Sequence, residues 1–273
     1  MTEHPPSRDP GKAALAQYLE DIFLQYHHPE FICPDPLEFL SRYPSTPDRE
    51  IVALVAALLA YGRVAQIQKS VERVLSFLTP KPRKFLTASS SKEITSICAG
   101  FVHRFTKAEA LSSILIGIRS LILCHGGLEA CFGKGDVKEH STILPGLVYL
   151  VRELQNASPI NPGHLLPDPS KGSALKRFNL FLRWMVRQDA VDPGGWNSIS
   201  PSRLIVPLDV HMHRMAIWLG LTRRSAADMR TALEVTEGFR EICSDDPVRF
   251  DFSLTRLGIR KLHIPQLSLS PCP

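Results

Sequence analysis

Apolar residues recur along this chain at intervals of three and four, the spacing that lines one face of an α-helix. In "KAALAQYLEDIFLQYH" (12–27) the stripe is Leu15, Tyr18, Leu19, Ile22 and Phe23. "TPDREIVALVAALLAYG" (46–62) opens on Thr46, Pro47 and Asp48, good start signals, and runs to Gly62, a good stop. Its apolar residues run nearly all the way round, which predicts a central, buried helix. Amphipathic spacing returns in "QIQKSVERVLSFL" (66–78), through Ile67, Val71, Val74, Leu75 and Leu78. It returns again in "KAEALSSILIGIRSLILCHGG" (107–127), which stops at a double glycine, and in "TILPGLVYLVRELQNA" (142–157) and "AADMRTALEVTEGFREIC" (226–243). Alternating strand patterns of useful length are absent, and no repeat of fixed period is visible. Proline-rich joints at 79–82, 158–169 and 192–207 separate the helices. The pattern predicts an all-α protein.

Composition narrows the class without naming a function. The chain has 273 residues, 44% hydrophobic and 22% charged, enough for one large domain or two subdomains sharing a core. Its longest apolar run, Ile51 to Gly62, is too short to span a bilayer, and "MTEHPPSRDPGK" lacks the apolar centre of a signal peptide. The expectation is a cytoplasmic protein with a disordered lead-in over 1–11, a domain over 12–262 and a loose tail over 263–273. Cys33, Cys98, Cys124, Cys131, Cys243 and Cys272 form no CxxC pair, which argues against a disulfide framework, a zinc knuckle or an iron–sulfur loop. Cys33, Cys98 and Cys243 lie beside apolar residues and read as small core residues. A net charge of +5 permits an acidic partner without demanding one.

Distribution of that charge matters more. "HLLPDPSKGSALKRFNLFLRWMVRQ" (164–188) makes a tight connection and then starts a helix near Ser173. Leu175, Phe178, Leu182 and Met185 form its apolar stripe. Lys171, Lys176, Arg177, Arg183 and Arg187 fall elsewhere, with no acid among them between 171 and 187. A run of charges alone reads as a solvated helix face. Joined to a glycine-containing turn, it reads as a phosphate site, because free backbone N–H groups at a helix start attract phosphate and flanking cations add to the attraction.

The second informative stretch is "VPLDVHMHRMAIWLGL" (206–221), where Asp209, His211 and His213 alternate. Metal ligands on a strand are often spaced so. Yet Met212, Met215, Ala216 and Leu219 repeat with helical spacing, and Pro207 suits an extended approach to an N-cap at Asp209. On a helix His211 and His213 point about 200° apart and cannot share an ion. No metal is expected here.

With these two segments in view, the chain resembles the helix–hairpin–helix DNA glycosylase superfamily, the endonuclease III and archaeal oxidised-guanine glycosylase group. It also resembles a bacterial family of conserved uncharacterised proteins over roughly residues 12 to 262. The second likeness lies in "KRFNLFLRWMVR", "SPSRLIVPLDVH", "EIVALVAALLAYGRVAQI", the "HRF" near 103 and "DDPVRFDFSLTRLGI". The superfamily's VD-x-H-x-x-R segment matches "LDVHMHR", and its G-x-x-x-K-x-x-N hairpin entry matches "GSALKRFN". Its hairpin glycines are replaced, "LPDPSKGS" standing for LPG-x-G, and its four-cysteine loop is absent, so no iron–sulfur cluster is expected.

The resemblance implies a fold of two helical subdomains flanking a cleft, and a monomer that performs base excision repair on double-stranded DNA, away from membranes. It places a catalytic aspartate at Asp209 and a Schiff-base lysine at Lys176, with Lys171 as its rival. Lys171, Gly172, Ser173, Arg177, Arg183, Arg187, His211 and Arg214 would bind DNA. Trp196, in the "DPGGWNS" loop, would stack on a base or else plug the subdomain joint. Base loss builds positive charge on deoxyribose, which a buried carboxylate can stabilise. A lysine desolvated near cations such as Arg177 can attack the sugar as the nucleophile of a glycosylase with AP-lyase activity. The alternative is a non-catalytic DNA-binding protein of the same fold.

Overall fold

A computed structural model of the chain describes residues 10–259. Twelve α-helices occur among them: α1 (Pro10–Tyr26), α2 (Thr46–Leu59), α3 (Val64–Leu78), α4 (Pro82–Ala88), α5 (Ser91–Ile97), α6 (Ala108–His125), α7 (Leu128–Gly135), α8 (Leu144–Ala157), α9 (Lys176–Val186), α10 (Val210–Trp218), α11 (Met229–Arg240) and α12 (Asp251–Ile259). Two-residue strands β1 (Val102–His103) and β2 (Thr106–Lys107) pair antiparallel. The protein is mostly helical, as its apolar spacing predicts. The lead-in expected before residue 12 and the tail expected after 262 fall outside the described residues, although α1 already begins at Pro10.

Several helix boundaries have a visible cause. α2 carries Pro47 and Asp48 in its first turn, and every residue from Glu50 to Leu59 is buried. It ends before Gly62, whose positive φ of 101° belongs to the loop beyond. α6 stops at Gly126, which takes the left-handed conformation at φ 89°. α5, seven residues long, is held by a capping box in which Ser90 and Glu93 satisfy each other's backbone N–H groups.

α2 and α9 form the central pair. On one side α3 and α4 flank α2, and α6 packs among α4, α5, α7 and α8; on the other, α12 packs against α1 and α10. α6 is long and apolar enough to cross a membrane, yet half of it is buried against its neighbours here. Cys98 is buried and Cys243 packs against the core, but Cys33 is exposed in the loop between two 3-10 turns, against expectation. Apolar neighbours in sequence did not bury it, because that loop runs over the surface.

Candidate active site

Two helix starts meet at the wall of one cleft. The chain approaches α9 through a 3-10 turn at Pro169–Lys171, whose first N–H groups are served by Asp168, accepting from Ser170 N at 2.9 Å. Gly172 then adopts φ 75° and Leu175 φ 49°, so the backbone turns through two left-handed residues before Lys176 opens the helix. For a leucine that conformation is costly, about 1–2 kcal/mol, and burial of Leu175 in the core holds it there. The same turn is tied to the start of α11. Met229 N donates to Gly172 O at 2.9 Å, Ser173 pairs with Asp228, and Asp228 caps α11 by accepting from Thr231 N.

Asp209 caps α10 with one oxygen, Oδ1, which accepts from His211 N at 2.9 Å and Met212 N at 2.8 Å. Its other oxygen, Oδ2, lies 3.5 Å from Lys176 Nζ, and each side chain is about one-third exposed. One carboxylate thus closes a helix and faces a lysine at the same time. Both residues line a cleft of about 560 Å³ with Tyr61, Val64, Ser173 and His211. The stripe predicted for α10 is buried at Met212, Met215, Ala216 and Leu219. His213 is buried too, its Nε2 paired with Arg224 O at 2.8 Å, while His211 stays exposed in the cleft, so the two histidines part as helical geometry demands.

Residues 35–260 match the family described as "Protein of unknown function (DUF2400)". The chain belongs to this DUF2400 family. The matched span contains both helix starts, Lys176 and Asp209 among them. No curated protein and no solved structure matches this DUF2400 chain.

Several expected DNA contacts stand elsewhere. Lys171 and Gly172 are exposed at the turn, Ser173 is half-buried in the cleft wall, and Arg214 is exposed on α10. Arg177 is engaged with backbone: Nη1 donates to Leu58 O at 2.9 Å, Nη2 donates to His164 O, and the guanidinium lies 5.5 Å from the Tyr61 ring centre. Arg183 and Arg187 correct the expectation outright. Both are buried, Arg183 against Asp192 and Asp251, Arg187 against Asp189, Asp192 and Asp246. Neither guanidinium reaches a surface that a phosphate could approach. The acid-free window of 171–187 ended just short of Asp189 and Asp192, which neutralise it. Burial pushes the Asp251 and Asp246 carboxyls up, against the pull of those arginines. Asp189 is held below the usual carboxylate range although burial works the other way, because His27 and Arg187 bond to it.

Trp196 is corrected as well. It is 1% exposed, edge-on to Phe181, and its Nε1 donates to Glu50 Oε2 at 3.1 Å. A ring so enclosed cannot receive a base; it is a core residue packed against Phe132 and Phe181. An aromatic that is exposed instead is Phe105, 75% exposed at the β1–β2 tip beside Arg104, which is left-handed at φ 52°. Tyr61 of the cleft wall anchors this hairpin by donating to His103 O at 2.8 Å, and His103 bonds Ser70 Oγ and Tyr61 O. Sequence reading passed over the "HRF" as a likeness only, since a two-residue strand leaves no periodic signal.

Proposed function

We propose that this protein is a DNA glycosylase with AP-lyase activity, acting on the deoxyribose of a nucleotide drawn out of the duplex. The observation that carries the reading is the Lys176–Asp209 pair, brought within 3.5 Å on the wall of an open cleft from two different helix starts. The Lys176 ammonium passes one proton to the departing base, while Asp209 Oδ2 stays ionised and faces the positive charge that grows on the sugar. The neutral Nζ attacks C1′; the C1′–N bond to the base breaks, its electron pair leaving with the base, which takes up a proton. Ring opening gives a Schiff base, and loss of a C2′ proton expels the 3′ phosphate by β-elimination. Gly172 and Lys171 supply backbone N–H and charge for the phosphate, and the exposed Phe105 would fill the gap left in the stack.

Borohydride reduction on an abasic duplex tests this directly. The wild type is expected to trap, Lys176→Gln to lose trapping, and Lys171→Gln to keep it. Trapping by Lys176→Gln would overturn the assignment, and a wild type that binds duplex but never traps would leave a non-catalytic DNA-binding protein.

A further inference from the structure

Behind the Lys176–Asp209 pair lies a second, smaller pocket of about 120 Å³. Lys176, Asp209 and His211 belong to both the pocket and the cleft, so the two open onto the same pair of side chains. Its inner wall is built by α12 and the loop before α2: Asp251, Thr255, Arg256 and Asp35, with Leu180 and Pro207 supplying apolar surface. Most of the polar atoms there are already engaged. Arg183 gives its guanidinium to Asp192 and to Asp251 Oδ2, and Asp35 accepts from Leu37 N and from Arg256 Nη2. Two are not. Among the described residues, Asp251 Oδ1 and Arg256 Nε are both buried and have no hydrogen-bond partner.

An unpaired buried acceptor and an unpaired buried donor are each costly, so their survival in one pocket wall points to a ligand that satisfies both. The pocket is far roomier than the 10–15 Å³ one water needs and close to the roughly 150 Å³ cavity that takes benzene. A planar six-membered ring with an N–H beside a carbonyl oxygen matches in size and in polarity. Resting on the glycosylase reading, we infer that this pocket receives the extruded base, Asp251 Oδ1 accepting from its ring N–H and Arg256 Nε donating to the adjacent oxygen. The sugar then sits at the shared residues, Lys176 and Asp209, where the bond to the base is cut.

Thymidine, with N3–H flanked by carbonyls, is the probe, and N3-methylthymidine, which lacks the donor, is its control. Ligand-observed NMR titration of the full chain is expected to show thymidine binding, with the methylated analogue at least tenfold weaker. In Asp251→Asn the amide oxygen must stay on Arg183, which only donates, so the amide N–H₂ turns to the pocket and reverses its polarity. That variant is expected to bind thymidine at least tenfold more weakly. Thr255→Leu fills the pocket without touching an ion pair and is expected to lose thymidine too, which keeps the test alive should Asp251→Asn fail to fold. Equal binding of the two nucleosides, no binding, or undiminished binding by both variants overturns the pocket. Trapping of the wild type on an abasic duplex, which needs no base, is measured alongside. Trapping without nucleoside binding sinks this pocket and leaves the lyase, whereas binding without trapping sinks the lyase and leaves a nucleobase site.

Discussion

The carboxylate of Asp209 has two duties on two oxygens, and they can be separated. Asn at 209 keeps an oxygen able to accept from His211 N and Met212 N, so the helix start survives. The charge opposite Lys176 does not. Asp209→Asn is therefore expected to melt within a few degrees of wild type while single-turnover excision falls on the order of 100-fold or more. A normal rate would reduce Asp209 to a helix cap. Arg183 behaves in the opposite way. Replacing it with Met leaves Asp251 buried without its cation and Asp192 with Arg187 alone, a loss of about 3–5 kcal/mol in urea unfolding. Lys171→Met, at an exposed position, should change stability by less than about 0.5 kcal/mol. Similar unfolding midpoints for those two variants would contradict the network described for α9.

Among elements, the β1–β2 hairpin is the least legible in sequence, and Phe105 at its tip is exposed. Phe105→Ser removes an exposed ring and should leave the melting temperature unchanged while weakening binding to an abasic duplex; equal affinity would deny it a place in the stack. The hairpin's anchor is pH-sensitive. Burial holds His103 below its ordinary value, so around pH 6 the unfolded chain binds more protons than the folded one. The stability His103 contributes is present above the unfolded value of about 6.5 and is lost as pH falls through the lower folded one. Melting temperatures should thus drop on acidification from pH 7 to 5, and His103→Gln should flatten part of that drop. Long helices were legible because burial of one face writes a 3.6-residue period into α1, α3, α6, α8, α10 and α11. α4 and α5, at seven residues each, are too short to show one. Of the site, the Asp209 cap was legible from local chemistry. Arg183 and Arg187 were not, because Asp246 and Asp251 lie far along the chain and the nearer Asp189 and Asp192 fall just past the helix, where linear spacing records no contact. Trp196 failed for the same reason: its partner, Glu50, lies on α2.

At the scale of the molecule, the net charge of +5 overstates what DNA could meet. With Arg183 and Arg187 neutralised inside and Arg177 turned to carbonyls, Lys171, Lys176 and Arg214 remain of the cations expected to meet DNA. Each phosphate contact contributes roughly −0.9 to the log–log salt slope, so Lys171→Gln should make the slope shallower by about that much, and an unchanged slope would remove Lys171 from the interface. The buried arginines have another consequence, one of timing. Proteins emerge from the ribosome N-terminus first, and Arg183 and Arg187 are made well before Asp246 and Asp251, the acids that complete their neutralisation. Until those last residues arrive, the helix at the centre of the molecule holds cations it cannot bury. The growing chain should consequently stay open late in synthesis. Ribosome-arrested chains ending at residue 240 are expected to be cleaved readily by protease within α9, and full-length released chains to resist.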